Sequence, residues 1–337
     1  MKIGILTHPL GANYGGILQA YALSVVLKDL GHSVTILRRD HDMPIYKRFI
    51  KQLLIAIKHP RYNSYKYTEL RRFVDKNINE SPIMYSSKQL GRYLEKENFG
   101  AVVVGSDQVW RADFALGFGY NYFLDFVPSH IKKISYAASF GLSSWNYDLN
   151  QTQYIKSLIE RFSKVSVREY CGQKLCKDHL DYNAQVVLDP TMLLESSRYS
   201  QIASPRKMEK NYVYVYWLGN EQEKQQILNM YKGKNIIDIS LRQNESLASI
   251  EDWLSYIKYA DRIITDSFHG CVFSVLFNRQ FVMYVNKLGG FGRIESLYKL
   301  LEIEYKLNDI YQDIDYKAVN EKIKVLRKES LKYLQSI

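Results

Sequence analysis

The chain has too few cysteines for a covalent framework and no apolar run long enough to enter a membrane. Of 337 residues only three are cysteine, Cys171, Cys176 and Cys271. The number is odd, and a lone Cys-x4-Cys pair lacks the second pair of ligands of a structural zinc site, so a disulfide scaffold and a zinc module are both set aside. No stretch approaches the ~20 apolar residues of a membrane-spanning helix. The opening apolar run, residues 3–6, is too short for a signal peptide and reads as a first strand, which makes the cytoplasm the expected location. Acidic residues are in deficit as well: 35 Asp and Glu stand against 46 Lys and Arg, a net charge of +11. That balance fits an anionic partner, whether nucleic acid, an anionic membrane surface or a phosphorylated small molecule. Without a recognisable recognition motif, nucleic acid is set aside. Apolar residues are plentiful, at 46% enough for two packed cores, so two domains of similar size are the default.

Strand-like runs alternate with amphipathic ones, the pattern of parallel sheets covered by helices. Residues 2–7 read as a strand, 17–30 as a helix closed by Gly31, and 33–37 as a second strand. Further strands are expected at 101–104, 133–138, 164–167 and 185–188, with helices near 88–97, 150–162 and 169–179. Asp189-Pro190 closes that series, and the polar stretch 195–210 reads as a linker. A second series follows, with strands at 212–216, 235–239, 261–265 and 281–285 and helices near 221–231, 249–259, 269–277, from about 293, and at 315–334. The expected fold class is α/β: two doubly wound Rossmann-like domains, 1–199 and 200–337, the final helix 315–334 belonging to the second. They face a cleft, with ligands beyond the carboxyl ends of the strands.

One segment departs from the alternation. Between residues 45 and 76 lie nine Lys or Arg side chains, Lys47, Arg48 and Lys51 among them, opposed only by Glu69 and Asp75 and mixed with Tyr46, Phe49, Leu53, Leu54 and other apolar residues. Basic amphipathic helices of this kind lie on anionic lipid headgroups, giving a peripheral membrane place as one expectation. A solvated helix face over an ordinary core is the equal alternative.

Chemistry-bearing residues cluster where strands end. After strand 261–265 the chain breaks at Thr265-Asp266-Ser267 and a helix opens at His269-Gly270. A helix start aims unpaired N–H groups outward and suits an anion, while an imidazole there can transfer protons near neutral pH. Asp266 or Ser267 as a plain N-cap is the competing reading. Gly11-Ala12-Asn13-Tyr14-Gly15-Gly16 follows the first strand; its spacing is not the dinucleotide pattern, and Arg38-Arg39 stand where an acidic residue would hold a ribose. Asn13, Tyr14 and Gly15 are therefore assigned to a loop lining the cleft and offered to a sugar-like acceptor. In Gly105-Ser106-Asp107-Gln108-Val109-Trp110, Asp107 is placed to orient a hydroxyl and Trp110 to stack on a sugar face; a capping aspartate beside a buried tryptophan is the alternative. Arg168 ends another strand and can clamp carboxylate or phosphate, unless it pairs with Glu169. Arg293, after the glycine loop 287–292, can close over a bound anion. Asp40-His41-Asp42 is discounted as a metal site because no supporting ligand is in view, and no metal or cofactor is expected.

Taken in order, Asn-Tyr-Gly-Gly-Ile-Leu-Gln-Ala-Tyr-Ala-Leu, Val-Gly-Ser-Asp-Gln-Val-Trp, Ser-Val-Arg-Glu, Leu-Asp-Pro-Thr and Thr-Asp-Ser-Phe-His-Gly resemble the polysaccharide pyruvyl transferase family from residue 3 to about residue 300. The resemblance implies a fold like the B-type glycosyltransferases and transfer of pyruvate from phosphoenolpyruvate to a sugar, commonly as a cyclic ketal, with phosphoenolpyruvate as co-substrate and no further cofactor. It implies His269 as catalytic acid/base and donor contacts from Arg168, with Ser267, Gly270 and Arg293 beside them. It also implies a free or lipid-linked glycan acceptor at the inner face of the membrane. Many members carry arginine two residues before the histidine, where this chain has Ser267; Arg293 or Arg242 are the candidates to supply that charge. A nucleotide-sugar glycosyltransferase of the same architecture and a non-catalytic glycan-binding relative are the rival readings.

Overall fold

The computed structural model describes residues 1–42, 68–205, 211–239, 248–285, 290–304 and 313–337. Within them two parallel sheets are wound alike. In the first, β1 (Lys2–Leu6) lies between β2 (Ser33–Ile36) and β3 (Ala101–Val104), with β4 (Lys132–Ser135) outside β3. In the second, β7 (Tyr212–Tyr216) lies between β8 (Asn235–Asp238) and β9 (Arg262–Thr265), with β10 (Gln280–Met283) outside β9. The order 2-1-3-4 thus recurs as 8-7-9-10, and in each sheet the winding reverses beside the first strand. Crevices at the carboxyl ends beside such reversals are where doubly wound sheets hold ligands.

The short pair β5 (Ser166–Val167) and β6 (Gln185–Val186) extends the first layer through bridges from Ile134 to Lys164 and from Ala138 to Val167. The strand expected at 133–138 stops at Ser135. The reason is local: Ala137 takes φ 53°, and Ser135 and Ser166 replace ladder bonds with bonds from their own hydroxyls to each other's carbonyls at 2.8 and 3.0 Å.

Helices cover the sheets: α1 (Tyr14–Asp29), α2 (Thr68–Asn77), α3 (Ser87–Lys96), α4 (Leu149–Ile159), α5 (Tyr170–Leu180), α6 (Ser196–Ile202), α7 (Glu221–Leu228), α8 (Ile250–Tyr259), α9 (Phe268–Leu276), α10 (Gly292–Leu301) and α11 (Tyr316–Gln335). The stretch expected as a linker contains α6. Of the basic segment 45–76, residues 45–67 lie outside the described residues. Its end forms α2, which buries Leu70, Phe73 and Val74 in the core and pairs Arg71 with Asp75 and Glu80, and Arg72 with Glu69. Among the described residues no helix is long and apolar enough to cross a membrane.

α1 is buried almost all round, twelve of its 16 residues, because one side packs on the first sheet and the other on the second half of the chain. It begins at Tyr14, three residues before the expected start, since Asn13 Oδ1 accepts the Gly16 N–H at 3.0 Å and caps the helix there. Tyr14 is fully buried, stacked on Trp253 (centroids 5.4 Å apart, planes 11°) and edge-on to Tyr216, and its hydroxyl donates to Ala248 O at 2.8 Å. The chain then crosses back: the last turns of α11 return to the first half, where Tyr333 donates to Ser135 O at 2.9 Å, Ser330 Oγ accepts from Leu188 N at 3.0 Å and Arg327 Nε donates to Met192 O at 2.8 Å. One continuous apolar cluster runs through both halves.

Tyr14 is therefore a strut. Tyr14→Ala should cost about 3–5 kcal/mol in urea unfolding, as for other fully buried aromatic truncations, and Tyr14→Phe only about 1 kcal/mol for one hydrogen bond. A Tyr14→Ala protein with unchanged midpoint would show that the ring does not join the halves.

Candidate active site

The carboxyl edges of β1, β3, β5, β6 and β9 converge on a polar cluster enclosed in the apolar core. Its hub is Asp189, 3% exposed, just after β6. Oδ1 accepts from the Thr191 N–H (3.0 Å) and hydroxyl (2.7 Å); Oδ2 accepts from Ser106 Oγ (2.8 Å) and Arg168 Nη1 (2.9 Å). The His269 Nε2 lies 3.7 Å from the same Oδ2. Burial works against ionisation of this carboxyl, but His269, Arg168 and Thr191 outweigh it and hold Asp189 well below the usual carboxylate range.

Arg168 ends β5 as expected, and it pairs with Asp189 as well as with Glu169, whose Oε2 is 3.5 Å from its Nε. Its guanidinium stacks 4.5 Å from the Phe268 ring centroid, so the first half grips the second beside the histidine. Burial disfavours its charge, but Asp189, Glu169 and Asp107 more than compensate, raising its pKa. Glu169 itself is pushed up by burial, although Arg168, Ser139 and Arg293 oppose the shift.

His269 sits in the first turn of α9, 7% exposed, and meets the first turn of α1 head-on. A Cβ added to Gly15 would lie 2.0 Å from His269 Nδ1, so only glycine lets the two helix ends approach. The first turns of two helices, each positively polarised at its N-terminus, therefore come together at the imidazole. Among the described residues, neither His269 Nε2 nor Arg168 Nη2 has a hydrogen-bond partner, although both are buried. Buried donors in this position are placed to take up an anion's oxygens. Every charged group here is under a tenth exposed except Arg293, so in this conformation the halves are closed over the site.

Arg293, in the first turn of α10, reaches the cluster from the second half. Burial and repulsion from Arg168 bring its pKa down to about 10, while Glu169 and Asp107 favour its charge. Arg242 lies outside the described residues. Ser267 is the cap of α9, its Oγ 3.4 Å from the Gly270 N–H, and Gly270 is pressed against Thr265, where a Cβ would come within 2.2 Å of Oγ1. Both serve the packing of α9 on β9. Asp266 is not the cap; its carboxylate accepts from Leu218 N (2.8 Å) and Gly219 N (2.7 Å) in the loop after β7.

On the acceptor side the structure divides the expected residues. Asp107 belongs to the cluster: it holds φ 97°, is 6% exposed, and is kept ionised against burial by His8, Arg168, His269 and the Gln108 N–H. Asn13 is exposed beside it and its carbonyl oxygen is spent on capping α1. Tyr14 is the strut already described. Trp110 is fully buried, stacked on Phe123, with its indole N–H on Tyr122 O at 2.9 Å, so neither aromatic offers a face to a sugar. The sequence reading missed His8, Ser106 and Asp189 as site residues. The available signal was position, since each directly follows a strand. Asp42 pairs with Arg39, and among the described residues no three His, Cys, Asp or Glu side chains converge as metal ligands.

Replacing Asp189 by Asn should leave buried Arg168 without its hydrogen-bonded ion pair, with Glu169 as the remaining adjacent carboxylate, and cost about 3–5 kcal/mol. Because the folded carboxyl titrates below the unfolded one, its stabilisation is complete above about pH 4 and is lost as pH falls through the folded value. Wild-type stability should fall more steeply below about pH 4 than that of Asp189→Asn; parallel curves would remove Asp189 as the hub.

Among solved structures, a glycosyltransferase from Rickettsia africae aligns with TM-score 0.56 and 10% identity, over 99% of this chain and 98% of that one. A putative UDP-N-acetylglucosamine 2-epimerase from Listeria monocytogenes aligns with TM-score 0.54 and 10% identity, over 99% and 90%. A UDP-GlcNAc 2-epimerase from Methanocaldococcus jannaschii aligns with TM-score 0.52 and 12% identity, over 97% and 93%. At such identities the likeness is one of fold, and the fold is that of the B-type glycosyltransferases, with two Rossmann-like domains. No curated protein matches the chain. The sequence model of polysaccharide pyruvyl transferase matches residues 13–287, from the cap of α1 past β10, a span that holds Asp189 and its partners Ser106, Arg168, Thr191 and His269. The chain belongs to the polysaccharide pyruvyl transferase family.

Proposed function

We propose that this transferase moves pyruvate from phosphoenolpyruvate onto a sugar of a surface-polysaccharide repeat unit, closing a cyclic ketal and releasing phosphate. The observation that carries the reading is the pair of buried nitrogens without a hydrogen bond among the described residues, His269 Nε2 and Arg168 Nη2, beside the meeting of two helix N-termini. Phosphoenolpyruvate is a compact polyanion, and when the halves part it can take Arg168 and Arg293 on opposite sides. His269 protonates the methylene carbon, which leaves oxocarbenium character at the neighbouring carbon. One acceptor hydroxyl oxygen bonds to that carbon, the carbon–oxygen bond to phosphate breaks, and a second hydroxyl oxygen takes its place. Of the two acceptor protons, one balances the new methyl group and the other leaves with phosphate. Proton transfer by a placed imidazole contributes about 10²–10⁴-fold.

The rival, a nucleotide-sugar glycosyltransferase, finds less support. In this fold the backbone amides beyond β7, at the winding reversal, are the natural seat of a diphosphate, and here Asp266 takes two of them.

Phosphate release from phosphoenolpyruvate in the presence of acceptor glycan should fall at least 100-fold in His269→Ala. Gly15→Ala, which forces the ring aside, should lower kcat comparably while the protein still unfolds cooperatively. Release that survives both changes would exclude His269 as the proton carrier. A lipid-linked acceptor is part of the same proposal, supported by the excess of positive charge in 45–76. Neutralising Lys47, Arg48 and Lys51 should weaken binding to anionic vesicles while leaving turnover of a soluble acceptor in place; unchanged vesicle binding would remove the membrane association.

A further inference from the structure

The cluster proposed to receive the donor already holds negative charge. Around Arg168 and Arg293 stand the carboxyl groups of Asp107, Glu169 and Asp189, the last with Oδ2 2.9 Å from Arg168 Nη1. With all of them ionised, the two guanidinium groups are more than matched before any ligand arrives. Arg111, whose charge also acts on Arg293, is paired with Asp113 at 3.0 Å. A polyanion brought into this desolvated cluster meets repulsion from every carboxylate left there. Its entry is eased when one of those groups gives up its charge. In the proposed reaction His269 enters carrying the proton that it gives to the methylene carbon, so a carboxyl is the group to gain one.

The hydrogen bonds distinguish the three. Asp189 accepts from Thr191 N, Thr191 Oγ1, Ser106 Oγ and Arg168 Nη1, all of which favour its anion. Asp107 is kept ionised against burial by His8, Arg168, His269 and the Gln108 N–H. Glu169 is held less firmly. It is 1% exposed; Oε1 accepts the Phe140 N–H at 3.1 Å, while Oε2 lies 3.5 Å from Arg168 Nε and accepts no hydrogen bond among the described residues. Glu169 is also the N-cap residue of α5, yet its side chain does not cap the helix. The Tyr170 N–H goes to Ser296 Oγ of α10 instead, at 3.0 Å, and the charges of Arg168 and Arg293 both act on the Glu169 carboxyl.

We propose that Glu169 is the resident counter-ion of the donor site, neutralising Arg168 and Arg293 before the donor binds and gaining a proton when phosphoenolpyruvate brings its own negative charge. This rests on the pyruvyl-transfer reading and adds the means by which a charge-matched cluster accepts a polyanion. Burial already pushes Glu169 up, and Arg168, Ser139 and Arg293 hold it down; an anion between the two arginines cancels much of that hold. Once protonated, the carboxyl becomes an O–H donor and no longer repels the donor's oxygens. The other ionisable groups against it do not compete in weakly alkaline solution. Burial, with Glu169 adding to it, pushes the Cys171 thiol up to about 11 and the Cys176 thiol up to about 12, and Arg293 comes down only to about 10.

The test is proton uptake on binding of phosphoenolpyruvate alone, without acceptor, to the full chain at about pH 8. Titration calorimetry in two buffers of different ionisation enthalpy reads it directly. A phosphate ester completes its second ionisation around pH 6, so at this pH the donor itself takes up no proton. Wild type should gain about one proton per donor bound, and its Kd should rise with pH by up to about 10-fold per unit. Glu169→Gln should abolish the uptake, flatten the pH dependence and bind phosphoenolpyruvate more tightly than wild type at the same pH, whereas loss of a purely structural carboxyl would weaken binding. His269→Gln should keep the uptake. Wild-type binding without proton uptake overturns the inference however the variants fold, and so does uptake that survives Glu169→Gln or vanishes in His269→Gln. Failure of the parent reading looks different: phosphoenolpyruvate would produce no heat in either buffer.

Discussion

The structure depends on keeping one desolvated carboxylate, that of Asp189, fully compensated. A buried anion is tolerated only where donors and positive charge surround it, and its partners come from four different places in the chain. Ser106 follows β3, Arg168 ends β5, Thr191 follows Asp189 itself, and His269 approaches from α9 in the other half. Folding this site correctly therefore means bringing the two halves into register. The charge network holds the halves at the same point where Tyr14 and Trp253 join them by apolar contact.

That arrangement gathers the groups on which the proposed reaction depends. β1 and β9 each deliver a helix start to the same spot, and Gly15 lets the backbone of one helix lie against the imidazole of the other. Arg168 and Arg293 then stand on opposite halves, so an anion between them would bridge the lobes. The same closeness leaves little room in this conformation, where the Arg168 guanidinium lies on Phe268 and Gly15 against the His269 ring.

Much of this was legible in the residues themselves. The alternation of apolar runs marks both sheets, and the five ordered motifs contain His269, Arg168, Asp107 and also Asp189. What the pattern could not convey was partnership between halves. Tyr14 and Trp110 stand at strand ends, where an aromatic ring can stack on a ligand or wedge a joint; periodicity says nothing of which, and both turn out to be buried. α1 looked like an ordinary amphipathic helix, but it is covered on both sides by surfaces from distant parts of the chain. Ser267 and Gly270 read as ligand contacts because a helix start suits anions, and the pattern did not show that they also cap α9 and pack it on β9. His8 escaped notice as a single histidine after a first strand, and only the positions of Tyr122 and Asp107 give it meaning.

The proposed reaction requires a small polyanion between Arg168 and Arg293, next to His269. Thermal unfolding of the full chain with phosphoenolpyruvate and, separately, with a panel of nucleotide sugars tests it most directly. The account predicts that phosphoenolpyruvate raises Tm and that the rise vanishes in Arg293→Ala. Stabilisation by a nucleotide sugar alone, with phosphoenolpyruvate inert, would contradict it.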